Sequence, residues 1–172
     1  MPVGRFVACS IVLSIIVFHL ILYQPEIPPN TGNIIRLCAN VGARLHLIHP
    51  LGFDMNERAL RRAGLDYHEF VDVREHASLE DCLAGLGSVR VFALTTKGTH
   101  SFFAARFRSD DAFLLGPETR GLPREWLAQF PGDRVLRLPM RPDNRSLNLS
   151  NAAAVALYEA WRQCDFDGGE PS

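Results

Sequence analysis

The chain has 172 residues, 47% of them hydrophobic and 22% charged, which fits one globular domain with a single core and excludes a wholly disordered chain. A formal net charge of −1 excludes a globally basic nucleic-acid binder, so any contact with a polyanion has to come from local clusters of charge. Cys9, Cys38, Cys82 and Cys164 are scattered, with no C-x-x-C pair and no histidine at ligand spacing, so neither a zinc site nor a redox motif is suggested and reduced thiols are expected.

In chain order, Arg5 and the apolar run that ends at Leu22 look at first like a signal peptide or an anchor. No small-residue cleavage site follows, and Val17 to Leu22 also reads as a buried strand of a parallel sheet. QPEIPPNTG, with its three prolines and closing glycine, predicts a loop over 24–32, and NIIRLCANVG a short helix ending at Gly42. Leu45 to Ile48 is a second strand. Asn56 to Ala63 is a helix closed by Gly64, and Ser78 to Leu86 another, with Ser78 as N-cap and Asp81 in the capping-box place. Val89 to Leu94 and Ala112 to Leu115 are apolar runs of strand length. GPETRGLP is a loop whose Pro123 suits the first turn of a helix carrying Trp126. Arg134 to Leu138 alternates as a strand does, 139–147 is irregular, and Leu149 to Gln163 is a helix without proline or glycine.

Strands alternating with helices predict an α/β fold with a parallel, doubly wound sheet. Ligands of such sheets bind beyond the carboxyl ends of the strands, where the loops 23–32, 116–122 and 139–147 would lie. The first strand-to-helix turn lacks G-x-G-x-x-G, and no G-x-x-x-x-G-K-[ST] occurs, which argues against dinucleotide and P-loop chemistry. Asn30 stands just before the predicted helix, as an N-cap or as a ligand-facing amide. Arg36 interrupts an apolar helix, either snorkelling or presented to an anion. Glu118 lies between Gly116 and Gly121, as a solvated turn acid or as an acceptor for a hydroxyl or amino group. Ser146, Asn148, Ser150 and Asn151 crowd the start of the last helix, more capping oxygens than one helix needs.

Taken together, N-x5-R in PPNTGNIIR, G-x-E-x-x-G in GPETRG, and SLNLSNA resemble the three motifs of the SpoU branch of the SPOUT methyltransferase superfamily. The likeness extends through LDYHEF, FALTTKG and VALYEAWRQ, over about 17–162, and is closest to the small TrmL (YibK) type, the tRNA (cytidine/uridine-2′-O-)-methyltransferases. It implies a deep trefoil knot near the C-terminus, an exception to the rule against threading that periodicity cannot show. It further implies a homodimer and S-adenosyl-L-methionine held by Leu94, Thr95, Gly116, Glu118, Leu138, Met140 and Ser146. Arg36, Asn30, Glu118, Ser146 and Asn148 become the catalytic candidates, the substrate is the wobble cytidine or uridine of tRNA, and no metal is implied. Another tRNA position, ribosomal RNA, or a non-catalytic RNA-binding homologue are the alternatives. Arginines at 58, 61 and 62 on one helical face, and Arg134, Arg137, Arg141 and Arg145 around the third loop, are candidate phosphate contacts. Tyr158 and Trp161 are expected in the core and dimer interface. The family pattern begins near Val17, so residues 1–16 are expected to be an over-called start, 17–165 the methyltransferase domain and 166–172 a flexible tail, with a cytoplasmic location and no membrane anchoring.

Overall fold

The computed structural model describes residues 17–54 and 72–170. Among these residues seven parallel strands form one sheet: β1 (His19–Tyr23), β2 (Arg44–Ile48), β3 (Val73–His76), β4 (Val91–Leu94), β5 (His100–Ser101), β6 (Ala112–Leu115) and β7 (Val135–Arg137). Their spatial order is β3-β2-β1-β6-β4-β7-β5. Among the described residues the helices are α1 (Pro28–Val41), α2 (Leu79–Leu86), α3 (Arg124–Leu127) and α4 (Leu149–Gln163). The order reverses on either side of β1 and β6, which places a crevice at the carboxyl ends of the central strands.

Alternation along each strand divides the core in two. Leu20, Leu22, Leu45, Leu47, Phe113 and Leu115 pack with Ile34, Ile35 and Cys38 of α1 and Ala153, Ala156 and Leu157 of α4. Ile21, Ile48, Ala93 and Leu114 pack with Leu79 and Cys82 of α2, with Trp126 and Leu127 of α3 beside them. Burial on both faces explains why the central strands read as unbroken apolar runs. Where β6 begins, Asp111, 1% exposed, accepts both Arg90 Nε (2.8 Å) and Nη2 (2.6 Å) and the Arg108 N–H (2.8 Å), so this buried carboxylate is fully partnered.

Several expectations need correction. α1 begins at Pro28, inside the segment expected to be a loop, because prolines at its first two positions lack only N–H groups that would be unpaired anyway. Asn30 is therefore buried within the first turn, and the N-cap position belongs to Ile27. The C-terminus at Gly42, with φ 67°, ends the helix as expected. β3 and β5 were not foreseen: VREH has no apolar alternation and HS is two residues long, so only pairing to β2 and β7 makes them strands. The strands β1, β4 and β7 are each shifted or shortened by one or two residues against expectation. Ser78 does cap α2, accepting the Asp81 N–H at 3.1 Å. The helix expected over 56–63, the LDYHEF block, the arginines at 58, 61 and 62, and residues 1–16 lie outside the described residues. Among the described residues no helix is long and apolar enough to cross a membrane. After α4 the chain turns back, with Trp161 Nε1 donating to the Asp167 carbonyl at 3.0 Å and the Trp161 and Phe166 rings 5.3 Å apart.

On the α2 side, three histidines cross the sheet diagonally. His19 Nδ1 lies 3.0 Å from His46 Nε2, and His46 Nδ1 lies 2.9 Å from His76 Nε2, while His19 Nε2 is 3.1 Å from Asp110 Oδ1. Burial, reinforced by the charges of His19, His76 and Arg74, pulls the His46 pKa down to about 4 from the usual 6.5. Unfolded, this imidazole gains its proton near pH 6.5; folded, only near pH 4. Between those values the unfolded chain binds more protons, so stability rises with pH across the window and falls on acidification. The full shift corresponds to about 3 kcal/mol as an upper limit. Urea midpoints measured from pH 7 to pH 4 are expected to fall more steeply for the native chain than for His46→Gln, and parallel curves would contradict this.

Candidate active site

At the carboxyl ends of β4, β6 and β7 lies a cavity of about 460 Å³, within the usual size of a small-molecule site. Leu94 and the turn Thr95–Lys97 form one wall, Leu115 and the loop 116–122 another, and Leu138 and Met140 follow from β7. Arg145, Ser146 and Leu147 approach from the segment leading into α4, and Leu149 and Ala152 close the floor. Leucines supply apolar surface, whereas Lys97, Arg120 and Arg145 supply cationic groups and Glu118 a carboxylate. The N-terminus of α4 adds partial positive charge beside Ser146.

The 116–122 loop is shaped by close approach of its own backbone. A Cβ at Gly116 would stand 2.3 Å from the Leu122 nitrogen and 2.5 Å from the Gly121 carbonyl carbon, and Gly121 has φ +67°. Both glycines are thus dictated by the turn. The β4 turn is similarly tight: the Thr95 N–H donates to the Leu136 carbonyl at 2.9 Å, and a Cβ at Gly98 would meet the Leu136 carbonyl carbon at 2.7 Å.

The three motif loops are joined by hydrogen bonds. The Glu118 carboxylate accepts from the Glu26 N–H (2.8 Å), the Ile27 N–H (3.2 Å) and Asn30 Nδ2 (3.0 Å). It places negative charge at the start of α1, where Ile27 has no capping side chain and the two prolines cannot donate. In return Glu26 Oε2 accepts the Thr119 N–H (3.1 Å) and hydroxyl (2.7 Å). Asn30 Oδ1 accepts Asn148 Nδ2 at 2.9 Å, and Asn148 Oδ1 accepts the N–H groups of Ser150 (2.9 Å) and Asn151 (3.3 Å), capping α4. From Glu118 through Asn30 and Asn148, one polar chain ties the second loop to the starts of α1 and α4.

All seven residues expected to hold a cofactor, namely Leu94, Thr95, Gly116, Glu118, Leu138, Met140 and Ser146, line this one cavity. Asn30, Asn148 and Arg36 are not among its lining residues; Arg36 lies on the exposed face of α1. The profile of the SpoU rRNA Methylase family matches residues 17–158. The chain belongs to this family. A tRNA (cytidine(34)-2'-O)-methyltransferase of Methylovorus glucosotrophus is 60% identical to this SpoU methylase over 151 residues, 88% of this chain and 98% of its own. A solved structure concerned with 2-OH methylation of C/U34 on tRNA superposes with a TM-score of 0.82 at 51% identity, covering 88% of this chain and 98% of that one. AviRb of Streptomyces viridochromogenes, solved in complex with AdoMet, shares the fold at a TM-score of 0.75 and 24% identity, covering 88% of this chain and 58% of its own.

Sequence reasoning missed three contributors to the SpoU methylase site. Glu26 was hidden among prolines, and its reciprocal bonding to Thr119 depends on strands β1 and β6 being neighbours. Lys97 and Arg120 were not singled out either, although both border the cavity and Arg120 Nη2 reaches Gln24 Oε1 at 2.7 Å.

Proposed function

We propose that this SpoU methylase transfers a methyl group from S-adenosyl-L-methionine to the ribose 2′-hydroxyl of the wobble cytidine or uridine, position 34, of tRNA. The observation that carries this reading is the convergence of all seven cofactor candidates on one cavity, in a chain that matches C34 methyltransferases over nearly their whole length. The cavity suits the proposed cofactor chemically: leucines for its apolar parts, and Lys97 and the start of α4 for its carboxylate. Bound there, S-adenosylmethionine supplies an electrophilic methyl group on sulfonium.

The chain's own contribution is mainly orientation, because an in-line displacement gains most from placing the attacking oxygen correctly. Arg36 is assigned to the substrate's 2′-hydroxyl and adjacent phosphate. Its guanidinium stays protonated, so it clamps and polarises, and the hydroxyl proton leaves to phosphate or water as the new C–O bond forms. Ser146 meets the cofactor, whereas Asn30, Glu118 and Asn148 position the loops. Arg134 just before β7, Arg137 at its end, and Arg141 and Arg145 in the loop after it would contact tRNA phosphates.

A C-terminal trefoil knot belongs to the proposal. It is supported by β7 lying between β4 and β5, with the Thr95–Gly98 turn closed on the β7 backbone. A homodimer is also proposed, supported by the apolar exposure of Val155, Tyr158 and Phe166 on and after α4. A cytoplasmic location follows from the proposed substrate.

Incubating the protein with labelled S-adenosylmethionine and undermodified tRNA, then mapping the labelled ribose by digestion and mass spectrometry, tests the reading. A 2′-O-methyl pyrimidine at position 34 is expected; label confined to ribosomal RNA or another tRNA position would replace it. Arg36→Lys keeps the charge but loses the planar fork, and is expected to lower kcat by at least 100-fold, about 3 kcal/mol of transition-state stabilisation. Near-normal turnover would remove the assigned role.

A further inference from the structure

Away from the cavity, on the α2 face of the sheet, the fold assembles a donor set that no spacing in the sequence announces. His46, His76 and Cys82 each offer one donor atom within 4.8 Å of the other two, and His46 Nδ1 lies 2.9 Å from His76 Nε2. They come from the middle of β2, the last residue of β3 and the first turns of α2. The pairing of β2 with β3 sets His46 opposite Arg74, so that His76, two residues on, leans back toward it with ring centroids 5.1 Å apart. The sequence reading of scattered cysteines without nearby histidines is thus corrected by tertiary contact.

We propose that His46, His76 and Cys82 form a binding site for one zinc-like dication, separate from the methyl-transfer site. The donors are two imidazoles and a thiol, with no carboxylate among them, a set that favours zinc over magnesium or calcium. Zinc–nitrogen bonds of about 2.0–2.1 Å at a tetrahedral angle require nitrogens about 3.4 Å apart. His46 Nδ1 and His76 Nε2 are 2.9 Å apart, so side-chain rotation of about half an ångström, without backbone movement, admits the ion in place of the shared proton. Three protein donors leave the fourth tetrahedral position for water.

What distinguishes this cluster from three residues that happen to be near is the order of protons behind it. The Asp110 carboxylate is 3.1 Å from His19 Nε2, which assigns that nitrogen as the donor and leaves His19 Nδ1 as acceptor. That nitrogen, 3.0 Å away, in turn assigns the proton of His46 to Nε2. His46 Nδ1 is then obliged to carry a lone pair, and it is this atom that meets His76 Nε2 within the donor set. Carboxylate, imidazole and ligating imidazole in series are the arrangement by which metal sites orient a ligand and raise its basicity. Binding displaces the Cys82 thiol proton to solvent and moves the His76 proton to Nδ1. The ion would tie the edge strand β3 to β2 and α2.

The test uses the full chain stripped with chelator and titrated with cobalt(II) chloride, followed by zinc. One cobalt per chain is expected, with a thiolate-to-cobalt charge-transfer band in the near ultraviolet that zinc bleaches. Cys82→Ser is expected to lose that band, Cys164→Ser to keep it, and His76→Gln to weaken cobalt binding at least tenfold. His76 is only half buried, so its variant keeps the test valid if Cys82→Ser fails to fold. His19→Asn, which touches no metal, is expected to weaken binding about 10- to 100-fold by releasing the His46 tautomer. Zinc is expected to raise the thermal midpoint of the native chain and not that of Cys82→Ser. A cobalt spectrum without a thiolate band, a band that persists in Cys82→Ser, or unchanged affinity in His76→Gln would overturn the proposal.

Discussion

Replacing Gly116 by alanine is expected to reduce S-adenosylmethionine affinity by more than 100-fold and to lower the thermal midpoint by several degrees. The added Cβ would stand 2.3 Å from the Leu122 nitrogen and 2.5 Å from the Gly121 carbonyl carbon. Both obstacles are backbone atoms, so no rotamer relieves the clash and the 116–122 loop has to open. Overpacking of this kind costs about 1–3 kcal/mol in stability. The effect on binding is larger because the same loop forms a wall of the cavity and carries Glu118, and a misplacement of about 1 Å in a positioned site already reduces rates about 100-fold. Calorimetric titration with cofactor and a thermal melt measure the two effects. Binding within threefold of the native chain would show that the turn is not needed in its observed form. Gly42→Ala serves as a control, since a Cβ there meets nothing within 4 Å and only its positive φ is strained.

Truncating Glu118 to alanine is expected to destabilise the protein by about 2–4 kcal/mol and to reduce kcat/KM by at least 100-fold. One carboxylate serves two backbone N–H groups at the start of α1 and the amide of Asn30. Leaving such donors unpaired costs about 1–3 kcal/mol each where water cannot replace the acceptor, and Glu118 is half-buried, so part of that loss is recovered. Glu118→Gln retains one acceptor oxygen but turns an NH2 toward donors, and falls between the two. Because Glu118 reaches Asn148 only through Asn30, the effects of Glu118→Ala and Asn30→Ala should be strongly non-additive, with a coupling of about 1 kcal/mol or more in a double-mutant cycle. Additive losses in stability and in cofactor affinity would mean that the polar chain does not act as a unit. A purely structural role would lower stability alone; positioning requires that kcat also falls in the folded fraction, at saturating cofactor.

These two sites illustrate how differently motif residues were legible. Gly116, Gly121 and Glu118 could be picked out because glycine-flanked acids at strand ends are unusual, but the sequence left Glu118 open between solvated turn and ligand contact. The structure assigns its carboxylate to α1, 88 residues from Asn30 along the chain and adjacent in space through β1 and β6. Asn30 was misplaced outside its helix because prolines usually signal a loop, whereas two at a helix start remove only donors that have no partner there. Local chemistry decided both outcomes; distance in sequence concealed the partner of Glu118, and the usual reading of proline concealed the place of Asn30.

By itself the sequence determined the α/β class, the parallel character of the central strands, the full extent of α4 and the cofactor candidates that prove to share one cavity. These follow from apolar periodicity, strong helix formers and motif strings, all of which act over a few residues. Only the tertiary structure decided the strand order, the edge strands β3 and β5, the Glu118–Asn30–Asn148 chain and the meeting of His46, His76 and Cys82. The physical reason is the same for each. Strand pairing and side-chain hydrogen bonds between distant segments are set by which elements are brought together, and that information is distributed over the whole core.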